Sequence, residues 1–170
     1  MVGFLNTEQE SIAQEIAALL TERGETVSVA EATTGGLVSA ALLWVAGASK
    51  YYVGGGVVYT LKSRTGLAGV SPEQYANYRG TTTEIIASLA ESMRERLGTT
   101  WCVSESGIAG PPSARVAQAG RTTIGVAGPV SRTTTVETGL SDRGANMVEF
   151  TTHALRFLRD AIREATTAAR

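Results

Sequence analysis

Apolar residues recur at helical spacing near the start of the chain and give way to other patterns further on. Ile12, Ile16, Leu19 and Leu20 share one face, Thr7 with Glu10 forms a capping-box pattern ahead of them, and Gly24 stands where a helix C-terminus favours glycine. The spacing predicts an amphipathic helix ending there. Residues 26–30 are few and β-branched, which predicts a strand. Gly35 and Gly36 open a nearly all-apolar run that ends near Gly47, so a tight turn and a buried helix follow. Residues 53–60 again read as a strand, although Gly54, Gly55 and Gly56 weaken it and point to a bulge or a close backbone approach. Ser71-Pro72-Glu73 starts a helical turn. Thr81 with Glu84 begins a second capping-box pattern, leading through Ile85, Ile86, Leu89 and Met93 to Gly98.

Residues 101–106 predict a buried strand, and residues 107–120 a loop long enough to suggest function. Residues 122–127 and 133–138 flank a Gly128-Pro129 turn and predict a hairpin. Met147, Phe150, Ala154, Phe157, Leu158 and Ile162 mark a last amphipathic helix starting near Ser141 or Asp142. Helices alternate with strands before the hairpin. The predicted fold is therefore α/β, a three-layer α/β/α sandwich around a mixed, mostly parallel sheet.

Composition narrows the function classes. A chain of 170 residues, 43% hydrophobic, suits one domain over 1–170. Its 15 basic and 16 acidic residues are scattered singly and give a formal net charge of −1, so no basic stripe marks a nucleic-acid partner. The start MVGFLNTEQE has no charged region followed by an apolar stretch, and the longest apolar run is too short to span a bilayer. The expectation is a cytoplasmic chain without a membrane partner. One cysteine, Cys102, and one histidine, His153, leave no cluster for a metal site, and no cofactor is implied.

Three strand ends carry the candidate chemistry, because ligands of open α/β sheets bind beyond the carboxyl ends of strands. In the first, AEATTGG, the N–H groups of a helix start and the hydroxyls of Thr33 and Thr34, beside Gly35 and Gly36, suit a phosphate or carboxylate; the plain alternative is a capped helix. In the second, VYTLKSR, a tyrosine hydroxyl and two cations follow a strand, and such cations are usually solvated surface. In the third, SESGIAGPP, glycines offer a nest for an anion or an ordinary turn.

In combination these segments resemble the C-terminal domain of the CinA family, the nicotinamide mononucleotide deamidases. AEATTGG is similar to the family's AES-x-TGG, Ala46-Gly47-Ala48-Ser49 to its PGSS, and Tyr59 to Arg64 followed by Gly69-Val70 to its YSNEAK and Gly-Val. The segment from Ser106 to Pro111 is similar to TGIAGP, and Ser141-Asp142-Arg143 to GDR. The resemblance implies a mixed-sheet α/β/α fold and metal-free hydrolysis of a carboxamide to a carboxylate by a serine nucleophile, a lysine base and a tyrosine. Residue by residue, the serine falls on Ala32, the lysine on Arg64 and the tyrosine on Tyr59. Alanine has no attacking oxygen, and arginine stays protonated and cannot serve as the base. As a cationic fork Arg64 suits a phosphate or carboxylate instead. Ala117-Gln118 stands for the family's Lys-Pro pair, and Met147 for a second arginine after GDR.

The resemblance thus implies a retained small-molecule pocket, for a nicotinamide nucleotide or a similar amide, with deamidation absent or very weak. Ala32, Thr33, Thr34, Gly35, Gly36, Tyr59, Arg64, Ser106, Gly107, Gly110 and Arg143 are its expected binding residues. The apolar faces, with the resemblance to an oligomerising family, add the expectation of a homo-oligomer. One alternative keeps hydrolysis of another amide or ester by water activated on Glu31, with Tyr59 assisting; another is a non-catalytic binding or oligomerisation module. A displaced pair of Thr33 or Thr34 with Lys62 is conceivable, and side-chain direction argues against it. Cys102, His153, Trp44 and Trp101 read as structural, the tryptophans as core.

Overall fold

Alternation of side chains along neighbouring strands splits the core in two. In the computed structural model, which describes residues 3–116 and 118–168, five strands among the described residues form one mixed sheet: β1 (Val27–Glu31), β2 (Tyr52–Val57), β3 (Trp101–Ile108), β4 (Arg121–Ala127) and β5 (Arg132–Glu137). Their spatial order is β2-β1-β3-β4-β5. β1 pairs in parallel with β2 and β3, and β4 runs antiparallel to β3 and β5, so four strands point one way. The helices are α1 (Thr7–Arg23), α2 (Leu37–Trp44), α3 (Leu61–Gly66), α4 (Thr83–Leu97) and α5 (Arg143–Ala168). None is long and apolar enough to cross a membrane.

Val27, Val29, Trp101, Val103, Ile124 and Val126 face one side of the sheet and pack with Ile16 and Leu20 of α1, Leu42 of α2 and Leu158 of α5. Ala30, Cys102 and Ala127 face the other, against Ile86, Leu89 and Met93 of α4. The second face is built from small residues, which lets α4 lie close: a Cβ at Gly125 would stand 2.6 Å from Ile86 Cγ2. Helices on both faces make the three-layer α/β/α arrangement that the alternation of elements predicts.

Several local expectations need correction. The first helix is capped by Asn6, whose side chain accepts the Gln9 N–H while Gln9 returns a bond to the Asn6 N–H; Thr7 and Glu10 are already inside the helix. In α4 the cap is Thr82, bonded to the Ile85 N–H, rather than Thr81. The second strand stops at Val57. Its glycines do mark a bulge and a close approach: the register jumps from Val27 opposite Tyr52 to Ser28 opposite Gly54, and a Cβ at Gly55 would lie 2.5 Å from the Val29 carbonyl oxygen. Trp101 is core, with its indole N–H on Glu25, but Trp44 is 39% exposed at the end of α2 beside exposed Leu43, so that helix buries one face only.

Candidate functional site

β1, β2 and β3 all end at the same edge of the sheet, so the three segments singled out in the sequence converge there. β1 runs into the turn at residues 32–36, β2 into residues 58–60 and α3, and β3 into the long loop. Ala32, Thr33, Tyr59, Arg64, Ser106 and Gly107 line one cavity of about 420 Å³. An adjoining cleft of about 270 Å³ shares Thr33, Tyr59 and Gly107 and adds Gly110 and Arg143. Arg143 donates to the Gly110 carbonyl at 2.7 Å and to the Tyr59 hydroxyl at 3.4 Å, which fixes the wall between the two spaces.

Arg64 overturns the expectation of a solvated surface cation. It is only 2% exposed on α3, a short helix capped by Thr60, whose side chain accepts the Ser63 N–H. Its Nε donates to the Val58 carbonyl at 3.2 Å and its Nη2 to Ser106 Oγ at 2.7 Å. Ser106 Oγ lies 3.1 Å from Thr81 Oγ1, which lies 3.2 Å from the Tyr78 hydroxyl, so a run of hydroxyls continues along the cavity. Arg64 Nη1 and the Tyr75 hydroxyl are both buried without a hydrogen-bond partner of good geometry. Burial pushes the Tyr75 phenol up, and the nearby Arg64 charge pulls it the other way. Lys62, two residues before Arg64, is exposed.

The turn after β1 is held by acids that belong to the protein. Glu31, buried at the end of β1, accepts the Val38 N–H at 3.1 Å and the Ser39 N–H at 3.0 Å, and thereby caps α2. Glu105 of β3 accepts the N–H groups of Ala32 and Thr34 at 3.3 and 3.1 Å, the Thr33 hydroxyl, and the Thr122 hydroxyl at 2.7 Å. Four expectations change accordingly. Of the N–H groups proposed for a phosphate or carboxylate, those of Ala32, Thr34, Val38 and Ser39 are occupied by Glu105 and Glu31, and those of Gly35 and Leu37 by backbone carbonyls. Thr34, Gly35 and Gly36 do not line the cavity, and Glu31, whose oxygens cap a helix, is not among its lining residues as a water-activating base requires. Neither threonine caps α2, whose N-cap is Gly36. Thr33 and Thr34 give their hydroxyls to Glu105 and Glu31, which removes both from any pairing with Lys62.

Glu105, Tyr78, Gly80, Arg121 and Thr123 were not singled out from the sequence, and Thr81 only as a helix cap. For Glu105 the signal was available: a carboxylate in the middle of an otherwise buried strand needs donors. Cys102 is buried on the α4 face, and burial pushes its thiol up to about 12, which fits a structural role. Met147 packs towards the turn, its Cε 3.0 Å from where a Gly35 Cβ would stand. Ala117, paired in the sequence with Gln118, lies outside the described residues.

The model of the CinA C-terminal domain matches residues 9–162. The chain belongs to that family. A CinA-like protein of Prochlorococcus marinus is 39% identical over 124 residues, covering 72% of this chain and 29% of the relative, and one of Trichormus variabilis is 36% identical over 129 residues, covering 75% and 31%. This CinA domain thus spans about a third or less of the curated relatives it matches. The crystal structure of the competence/damage inducible protein CihA from Agrobacterium tumefaciens superposes with a TM-score of 0.84 at 25% identity, covering 94% of this chain and 99% of that one.

Proposed function

We propose that this CinA domain keeps a small-molecule cleft at the carboxyl edge of its sheet and does not hydrolyse nicotinamide mononucleotide by a serine–lysine mechanism. The observation that carries the reading is that Ala32, Arg64 and Tyr59, the positions at which the resemblance puts serine, lysine and tyrosine, line one cavity. At the first there is a methyl group in place of a nucleophile. At the second there is a guanidinium that holds its proton throughout the physiological range, so it takes no proton from an attacking hydroxyl. The neighbouring threonine hydroxyls are engaged by Glu31 and Glu105, which supports the absence of a replacement nucleophile.

The test is ammonia release from nicotinamide mononucleotide, paired with thermal unfolding. Wild-type protein releases none above background but melts at a higher temperature with the nucleotide present. The double variant Ala32→Ser with Arg64→Lys gains measurable release, because it supplies both missing groups to an otherwise complete cleft. Wild-type turnover at the rate of an ordinary enzyme refutes the reading. A folded double variant that neither binds nor reacts refutes the shared-cleft part of it.

A further inference from the structure

We propose that the Arg64 end of the cavity selects a carboxylate over a carboxamide, so that the domain's ligand is a small aromatic acid. The inference rests on the reading of a retained cleft and adds the chemical class of what fills it. Arg64 is a buried cation with no counter-ion: among the described residues no carboxylate lies within 4 Å of its guanidinium. Its hydrogen bonds go to the Val58 carbonyl and Ser106 Oγ, both neutral, Nη1 has no partner of good geometry, and the Tyr75 phenol that interacts with the guanidinium is neutral as well. Buried charges are normally paired, because desolvation without compensation costs far more than a surface contact returns. The cavity that Arg64 lines is the route by which an anion reaches it.

The groups around Arg64 distinguish acid from amide. Ser106 Oγ accepts from Arg64, and its own proton serves a ligand acceptor when Thr81 Oγ1 is the donor of the Thr81–Ser106 bond. A ligand carboxylate, acceptor on both oxygens, meets a guanidinium and a hydroxyl with matched polarity and planar geometry. A carboxamide turns its NH₂ towards the same donors and leaves one set unpaired. The Tyr59 and Tyr78 rings line the same space and favour a flat ring attached to the acid. Ala32 adds a methyl at the place where a serine hydroxyl would bring one more donor.

The experiment is calorimetric titration of the intact chain with two matched pairs, nicotinate against nicotinamide and the mononucleotide of each. Within a pair the ligands differ only at the acid or amide group, so any phosphate contribution cancels. The acid is expected to bind about tenfold tighter than the amide, the scale of one charge-assisted contact. Arg64→Met abolishes the preference, Arg64→Lys keeps part of it, and Ser106→Ala weakens it. If the amide binds as tightly as the acid in wild-type protein, or if Arg64→Met weakens both mononucleotides equally, the carboxylate assignment is overturned and the cleft stands. If none of the four ligands binds, the cleft reading fails and takes this inference with it. The wild-type comparison decides the matter even where the Arg64 variants do not fold.

Discussion

Glu31 and Glu105 are register partners on the adjacent parallel strands β1 and β3, and both carboxylates turn to the same face beneath the turn that carries Ala32. Thr34 Oγ1 stands between them, 2.5 Å from Glu31 Oε2 and 3.2 Å from Glu105 Oε2. One hydroxyl proton serves only one acceptor, and the shorter contact gives it to Glu31. Together the two acids take the N–H groups of Ala32, Thr34, Val38 and Ser39. A strand-to-helix junction that in other α/β proteins receives a ligand anion is here filled from within. The buried cation that lines the cavity is Arg64, carried by α3.

Glu105 is therefore expected to control the shape of the turn. Truncation in Glu105→Ala leaves two buried N–H groups and two threonine hydroxyls without their acceptor, at a cost of about 3 kcal/mol or more. Glu105→Gln keeps one carbonyl oxygen and loses roughly half as much. Urea unfolding followed by circular dichroism measures both. A loss below about 1 kcal/mol for the alanine variant would show that the turn is held by something else.

Glu31 makes a contrasting case, since its carboxylate acts on a helix start. Glu31→Ala is expected to destabilise by about 1–2 kcal/mol, the range of a lost cap. Glu31→Gln leaves any slow amide or ester hydrolysis by the folded protein unchanged. A large drop in such hydrolysis at unaltered stability would reinstate water activation by Glu31.

Much of the fold and part of the site could be read from the residues, for reasons visible at particular positions. The apolar alternation in the strands and the helical spacing at Ile12, Ile16 and Leu20 report burial directly, so the predicted elements came out in the right order, while the short α3, with Arg64 its one buried residue, was not foreseen. The caps were misplaced by one because Asn6-Thr7 and Thr81-Thr82-Thr83 offer adjacent residues able to cap, and the incoming chain selects among them. Ala32, Tyr59, Arg64 and Ser106 were recognisable as strand-end residues, and parallel pairing brings them together. Thr34, Gly35 and Gly36 lie off the cavity: the acid that takes the Thr34 N–H comes from β3, some seventy positions away, and the Gly35 N–H turns back to the Ala32 carbonyl. Arg121 and Thr123 enter the cavity from the antiparallel β4, and Tyr78 and Thr81 from the segment before α4; nothing local in those stretches marks them. Trp44 read as core because its neighbours are apolar, yet α2 is short and buries only Val38, Ala41 and Leu42.

Cys102 provides a probe of the α4 face. Its thiol, pushed up to about 12 by burial, is neutral and shielded at physiological pH. Native protein is expected to resist iodoacetamide at about pH 8, and urea-unfolded protein to label fully. Mass spectrometry after timed exposure reports the fraction modified. Rapid native labelling would mean that α4 separates readily from the sheet.

His153 gives the chain a pH dependence with a definite sign. It lies on α5, with Nδ1 3.4 Å from Arg156 Nη1. Burial first, and then the Arg156 charge, hold its imidazole below the usual value of 6.5, while Glu149 and Glu8 oppose them. The folded state therefore binds fewer protons than the unfolded chain between the lowered value and 6.5, and stability increases with pH across that interval. Acidification from neutrality through 6.5 removes this contribution, because protonation then favours the unfolded chain. The urea midpoint is expected to be lower at about pH 5.5 than at about pH 7.5, and His153→Gln to flatten the difference. An unchanged slope in that variant would assign the dependence to other groups, and a rise in the wild-type midpoint on acidification would reverse the sign deduced from the burial of the ring.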